Sequence, residues 1–121
     1  MLIFNATAVL INNNLWMNKL EIAKLFGCFP QKVEANLRSI FKSRLLWESD
    51  VTYTHRYIYK EIERQCIYYN MDVLIFLSYR IGTFETRIFR DFINQSFREH
   101  IKRKGKSEKS RIVWIAPPCY N

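Results

Sequence analysis

Residues 18–41 read NKLEIAKLFGCFPQKVEANLRSIF, and this stretch predicts two helices joined by a tight turn. Asn18 can cap the first helix, whose apolar side chains share one broad face until Gly27 offers a left-handed position. Pro30 then stands at a helix start, where its missing N–H is tolerated, and apolar residues recur at helical spacing beyond it. The sequence therefore predicts a short helix ending at Gly27 and a second helix from Pro30 to Lys42.

Three residues within this stretch have the spacing of a helix-turn-helix unit. Ala23 lets the second helix pack closely against the first, Gly27 makes the sharp turn, and Val33 fills the angle between the helices. Plain helical hairpins also match three such positions by chance, so the spacing alone leaves both interpretations open.

Strand-like runs flank the two helices. Leu2–Leu10 and Leu15–Met17 lie on either side of three asparagines, which predicts a hairpin before the first helix. Val51–Tyr59 and Gln65–Tyr69 are rich in β-branched and aromatic residues, with a polar link between them, and predict a second hairpin. A hairpin that follows the second helix would be the wing of a winged helix-turn-helix domain.

Two further helices are expected on the carboxyl side. Asn70 or Asp72 can cap a helix through Val73–Leu77 that is apolar nearly all round and should lie in the core. The last helix is expected to begin at Thr83 or Phe84 and end at Lys102. Its predicted buried stripe comprises Phe84, Ile88, Phe89, Phe92, Ile93, Phe97 and Ile101.

These elements together predict an α+β fold. Residues 1–101 are expected to form a winged helix-turn-helix domain with β-hairpins and a two-helix carboxyl-terminal extension, and residues 102–121 a flexible basic tail. A chain of 121 residues has room for one such domain.

The charge is strongly basic and lies in two segments. The net charge is +8 and the isoelectric point is about 9.6, which makes a polyanion the first partner to consider. Residues 19–44 hold six basic and two acidic side chains, and residues 98–121 hold seven basic and two acidic ones. A solvated surface is the ordinary alternative for either segment.

Other function classes find little support in the sequence. Three separated cysteines form no paired motif, so we expect neither disulfides nor a zinc site, and a reducing cytoplasm fits best. His55 and His100 are isolated, so we expect no enzyme, no metal, no cofactor and no small-molecule substrate. The amino-terminal stretch lacks the features of a signal peptide, and no apolar run approaches the roughly 18 residues of a membrane span.

Two groups of strings carry a family resemblance. The first is LWMN at 15–18 followed by EIAKLFG at 21–27 and continued by IF at 40–41. The second is YYNMDVLI at 68–75 and SYRI at 78–81. Over about residues 2–101 the chain resembles the RhuM-type virulence proteins of bacteria, which are found in pathogenicity islands and prophage-like elements and are thought to bind DNA. The resemblance implies a DNA-binding module, a transcriptional regulator of a virulence or mobile genetic element.

The helix that starts at Pro30 is expected to read the major groove of double-stranded DNA, with a homodimer as a further expectation. Gln31, Lys32 and Arg38 are the base-reading candidates, because Gln and Arg can make bidentate contacts with purine edges. The expected phosphate contacts are Lys24, Lys42, Arg44 and Arg56.

Two alternatives stay open. A protein-interaction module of the same fold would have lost its DNA face, and Phe29 just before the second helix and Glu34 within it motivate that hypothesis. The tyrosines of the second hairpin could stack on the bases of a single strand, but tyrosines paired across a hairpin more often pack in a core. We therefore expect packing for Tyr53, Tyr57, Tyr59, Tyr68 and Tyr69.

Overall fold

The computed structural model describes residues 9–11 and 14–108 and has the predicted α+β architecture. Its elements in chain order are β1 (Val9–Ile11), β2 (Asn14–Asn18), α1 (Lys19–Phe26), α2 (Pro30–Lys42), α3 (Glu48–Val51), β3 (Thr52–Tyr59), β4 (Ile62–Tyr69), α4 (Met71–Arg80) and α5 (Phe84–Glu108). The first part of the predicted first strand, residues 2–8, and the end of the predicted tail, residues 109–121, lie outside the described residues.

The strands form an antiparallel sheet in the order β1-β2-β4-β3. β1 and β2 pair as the first predicted hairpin, so that prediction is confirmed over the described part of it. The end of β2 pairs with the end of β4 through Met17 opposite Tyr69 and Asn18 opposite Tyr68. This pairing joins the strand that leads into α1 to the long β3–β4 hairpin.

The β3–β4 hairpin is longer and tighter than predicted. β4 begins at Ile62 instead of Gln65, and Tyr59 pairs directly with Ile62. Only Lys60 and Glu61 remain in the turn, with φ angles of 55° and 62°. Two-residue hairpin turns with both central φ angles positive match the twist of the strands, and they favour Asn and Gly at these positions. Strand pairing therefore imposes a backbone conformation that Lys60 and Glu61 do not prefer.

The ends of α1 follow the sequence prediction. The Asn18 side chain accepts a hydrogen bond from the Glu21 N–H at 2.9 Å, and the Glu21 carboxylate accepts one from the Asn18 N–H at 2.9 Å. This reciprocal capping box satisfies two of the helix's free N–H groups. Gly27 ends the helix at φ 63°, and Pro30 opens α2 three residues later.

The core lies between α1, α2, α4 and the start of α5. The Phe26 and Phe89 rings meet edge to face with their centroids 5.2 Å apart. The Thr83 hydroxyl donates a 2.7 Å hydrogen bond to the Phe26 carbonyl, which ties the start of α5 to the end of α1. The fully buried apolar side chains are Ile22, Phe26, Val33, Ile40, Val73, Leu74, Leu77 and Ile81.

The predicted buried stripe of α5 is largely wrong. Phe89 is buried, whereas Phe84 is 69% exposed and Phe97 is 61% exposed; Ile88 and Phe92 are exposed as well. Thr86 is buried instead, and its hydroxyl donates a 2.7 Å hydrogen bond to the Ile81 carbonyl. Periodicity identifies an apolar face of a helix, but not whether another element covers it.

The chain divides between Arg90 and Asp91 into two units, and α5 runs through the division. This helix continues to Glu108, beyond the predicted end at Lys102. Over residues 9–11 and 14–108, no helix combines the length and apolar character that crossing a membrane requires.

Candidate nucleic-acid interface

The outward face of α2 gathers three of the predicted contact residues into one line. The buried side of this helix is formed by Val33, Leu37 and Ile40. Residues at i, i+4, i+7 and i+11 share a helix face, and the four residues with this spacing on the opposite side are all exposed. We call this line the α2 stripe; it consists of Gln31, Ala35, Arg38 and Lys42.

The remaining predicted residues lie on other faces and elements. Lys32 is exposed on the flank of α2, and Lys24 is exposed in the last turn of α1. Arg44 follows α2 at φ 59°, and its guanidinium lies 5.3 Å from the centroid of the Trp47 ring. Arg56 lies on β3, where its Nη1 donates a 3.3 Å hydrogen bond to the Gln65 side chain. The structure therefore places Arg56 on the second hairpin, within the strand-like run that the sequence predicts there.

Glu34 is paired with two cations at the edge of the α2 stripe. Its carboxylate lies 3.6 Å from Lys19 Nζ and 3.6 Å from Arg38 Nη1. All three side chains are more than a third exposed, and exposed ion pairs of this kind contribute about 0–1 kcal/mol. An incoming phosphate or base edge can therefore displace Glu34 from Arg38 at small cost.

Arg80 is a cation beside α2 that sequence reasoning did not assign to this face. From the last turn of α4, its Nε donates a 3.1 Å hydrogen bond to Asn36 Oδ1, and its Nη2 donates a 2.7 Å bond to Ser39 Oγ. The Asn36 amide in turn donates to the Lys32 carbonyl at 2.9 Å. The partners are more than 40 residues apart, so no local pattern could have joined them; the SYRI string was the one signal that pointed to Arg80.

The tyrosines of the hairpin do not share one environment. Tyr69 is buried and its ring stacks on Phe41 with the centroids 6.4 Å apart, as the packing prediction requires. Tyr53, Tyr57 and Tyr59 are 43%, 41% and 53% exposed, so the packing prediction is wrong for these three residues. A hairpin this long carries its tip beyond the helices that cover its base.

The pKa values of three weak acids, Tyr69, Tyr68 and Cys28, are raised, which favours their neutral forms. Burial raises the pKa of Tyr69, with Glu48 and Glu34 adding to the effect. Burial also raises the pKa of Tyr68, assisted by Cys66. The pKa of the Cys28 thiol is raised mainly by burial, although nearby Lys32 opposes the shift. None of the three groups therefore adds negative charge at neutral pH.

A cleft of about 290 Å³ opens at the junction of β2, α1 and β4. The side chain of Asn18 donates a 3.7 Å hydrogen bond to Cys66 Sγ at this cleft. Its lining residues are Asn18, Lys19, Leu20, Gln65, Cys66, Ile67 and Tyr69. Within the described part of the chain, no three His, Cys, Asp or Glu side chains are grouped as metal ligands would be.

Comparison with known proteins adds no relative. No family model matches the chain, and no curated protein or solved structure is significantly similar to it. The resemblance to the RhuM-type proteins thus rests on the strings at 15–41 and 68–81, and it stays a prediction.

Proposed function

We propose that the chain is a winged helix-turn-helix module that binds double-stranded DNA with α2 in the major groove. The observation that carries the proposal is the α2 stripe, an exposed line in which three of four side chains are polar or basic and the fourth is the small Ala35. It lies directly opposite a buried apolar face. Two cations belong to this line, Arg38 and Lys42, and two more flank it, Lys32 and Arg80. Glu34 is the one acidic residue on α2. Such a helix can insert into a groove without uncovering the core.

The arrangement of the neighbouring elements supports the proposal. The strand β2 leads directly into α1, and α2 follows after a three-residue turn. The β3–β4 hairpin comes after α2 and the short helix α3. The inner strand β4 lies between β2 and β3, so the hairpin is fixed to the strand that precedes α1. In this proposal the hairpin is the wing, and Arg56 on it contacts phosphate.

Each residue of the interface has a role in the proposal. Gln31 and Arg38 read base edges, because bidentate contacts with purines are geometrically favoured for these side chains. Glu34 can accept a hydrogen bond from a cytosine amino group once it leaves Arg38. The sequence predicts a base-reading role for Lys32, but this residue lies on the flank of α2 outside the α2 stripe, so the proposal gives it a phosphate contact. The other phosphate contacts come from Lys24, Lys42, Arg44 and Arg56. The resemblance to the RhuM-type proteins supports a regulator of a virulence or mobile element as the biological setting.

One observation favours the second candidate, a protein-interaction module of the same fold. Phe29, at the start of α2, is 79% exposed, and Trp47, which follows that helix, is 58% exposed. Large apolar side chains with this exposure are commoner at protein interfaces than on inert surfaces. A partner protein that covered Phe29 would also cover Gln31, so the two functions would exclude each other.

Fluorescence anisotropy with random duplex DNA, at about 50 mM and about 200 mM salt, tests the proposal. Lys32, Arg38 and Lys42 are replaced together by alanine, and the matched control replaces Lys102, Arg103 and Lys104, which removes the same charge from α5. We expect the α2 variant to abolish the measurable binding and the α5 variant to keep most of it. Equal losses in both variants would contradict groove reading by α2, and salt-insensitive binding would favour the interaction module.

A further inference from the structure

The β3–β4 pairing places aromatic residues on one face of the hairpin. Directly opposite residues of an antiparallel pair project to the same side of the sheet. Tyr53 pairs with Tyr68, Tyr57 with Arg64 and Tyr59 with Ile62; His55, between the first two tyrosines of β3, belongs to the same side. Trp16 joins it from β2, since its ring lies 6.1 Å from that of Tyr53. We call this surface the aromatic face; it consists of Trp16, Tyr53, His55, Tyr57, Tyr59 and Tyr68.

The rings of the aromatic face follow one another along the hairpin. Tyr53 and Tyr68 have their ring centroids 6.4 Å apart, and His55 and Tyr57 stack nearly parallel at 5.7 Å. Tyr59 continues the series toward the turn and is 53% exposed. Each exposed ring offers a flat apolar surface together with a polar edge, which suits a ligand that is itself planar and polar-edged.

Two cations lie beside these rings, whereas the carboxylate on β4, that of Glu63, projects from the other side of the sheet. The Arg64 guanidinium lies 5.5 Å from the centroid of Tyr59, and the Lys60 amine lies 5.3 Å from it. Glu63 pairs with Ile58 and therefore projects from the opposite face, while Glu61 lies in the turn. The strand alternation therefore separates Glu63 from the aromatic face, although it is next to Arg64 in the sequence.

At the base of the hairpin, the other side of the sheet packs against the core. Tyr69, which alternates with Tyr68 along β4, is buried and stacks on Phe41 of α2. The aromatic face is therefore the side of the sheet turned away from α2 at the base of the hairpin. Tyr57 and Tyr59 lie outside the buried core, so burial in the core does not explain the row of aromatic residues at positions 53, 55, 57 and 59 of β3.

We propose that the aromatic face binds single-stranded DNA, with bases stacking on Tyr57 and Tyr59 while Arg64 and Lys60 contact the phosphates. Base stacking on aromatic side chains, combined with cations along the backbone, is the general basis of single-strand binding. A second copy of the chain would bring two sets of Lys60 and Arg64 together, so charge favours a polyanion as the occupant. The proposal goes beyond the duplex contact assigned to α2, because it uses a different surface and unpaired bases.

Anisotropy of a labelled oligothymidylate of about 20 nucleotides at low salt tests this proposal. Tyr57→Ile with Tyr59→Ile removes both rings and keeps residues that favour strands, whereas Tyr57→Phe with Tyr59→Phe keeps the rings. Ile58→Thr on the opposite face is the control. We expect the isoleucine pair to weaken binding by about tenfold or more, and the phenylalanine pair and Ile58→Thr to stay within about twofold of wild type.

Three outcomes would overturn the proposal: no binding of the oligothymidylate by the wild type, equal losses in the isoleucine and phenylalanine pairs, or equal losses in the isoleucine pair and Ile58→Thr. Photocrosslinking of wild-type protein to an oligonucleotide that contains 5-iododeoxyuridine gives a second readout, which does not depend on how the variants fold. Crosslinks at Tyr57 or Tyr59 support the aromatic face, and crosslinks confined to α2 contradict it. The same titrations with duplex DNA test the two proposals separately. Loss of duplex binding alone would leave the single-strand proposal unaffected.

Discussion

Arg80 holds Ser39 through a 2.7 Å hydrogen bond from its guanidinium, and this bond joins the last turn of α4 to the outward side of α2. The same guanidinium also binds Asn36, so it spans two residues that lie three positions apart on one helix. A planar guanidinium can serve two acceptors at fixed geometry, which a lysine ammonium cannot match. The clamp therefore fixes α2 against α4 while leaving the α2 stripe open.

Replacing Arg80 tests this clamp. We expect Arg80→Ala to lower the free energy of unfolding by about 1 kcal/mol, because two exposed hydrogen bonds are lost and no buried group is left without a partner. Arg80→Lys should recover less than half of that loss, since one ammonium cannot serve Asn36 and Ser39 in the same geometry. Urea unfolding of the three proteins provides the measurement, and a lysine variant as stable as wild type would contradict the clamp.

Glu34 competes with DNA for Arg38 in the proposed function. We expect Glu34→Gln to change the free energy of unfolding by at most about 1 kcal/mol, because both ion pairs are exposed. Affinity for random duplex DNA should rise by more than it does for Glu99→Gln, which makes the same charge change on α5. Anisotropy titration measures the affinity of both variants. An equal rise in the two would show that the change in net charge alone explains the effect.

Gly27 holds the turn between α1 and α2 in a left-handed conformation. An added Cβ at φ 63° is strained, and it would also meet the Glu85 carboxylate at 2.5 Å, so the Glu85 side chain would have to move. We expect Gly27→Ala to destabilise the fold by about 1–2 kcal/mol. Gly82→Ala is the matched control, since nothing lies within 4 Å of its Cβ position. An equal shift of the thermal unfolding midpoint in the two variants would contradict the role of Gly27 in the turn.

The local elements of this fold were predictable because their signals lie within a few residues of one another. Asn18, Gly27 and Pro30 mark helix ends through backbone chemistry alone, and the structure begins and ends α1 and α2 at the expected positions. The exposed line of Gln31, Arg38 and Lys42 follows from helical periodicity in the same way.

The remaining features depend on contacts between distant residues. The clamp from Arg80 to Ser39 joins residues 41 positions apart. The exposure of Phe84 depends on which elements cover α5, and the two-residue turn at Lys60 depends on the register of the strands. None of these is encoded within the short windows that sequence patterns use, so the sequence predicted the α2 stripe but not the contact of Arg80 with Asn36 and Ser39 beside it.

The turn of the β3–β4 hairpin offers a stabilising change. Lys60 and Glu61 both occupy positive φ, where a side chain costs about 1 kcal/mol per residue relative to glycine. We expect Lys60→Asn with Glu61→Gly to raise the free energy of unfolding by about 1 kcal/mol, because Asn-Gly is the preferred pair for this turn. Chemical denaturation checks the gain. Ile58→Val, a change within β3, is the control. An unchanged denaturation midpoint for the turn variant would show that the hairpin frays before the rest of the chain unfolds.

Tyr69 links stability to alkaline pH. Its folded-state pKa is raised above the ordinary value of about 10 by burial and by Glu48 and Glu34, so the folded state disfavours the phenolate. The stabilisation is therefore fully present below pH 10 and is lost as the pH rises through the folded-state pKa. Tyr69→Phe keeps the ring that stacks on Phe41 and should make the free energy of unfolding less dependent on pH above pH 10. The matched control is Tyr79→Phe, which removes a hydroxyl from a side chain that is 66% exposed. A Tyr69→Phe profile that falls as steeply as the wild type would contradict the assignment.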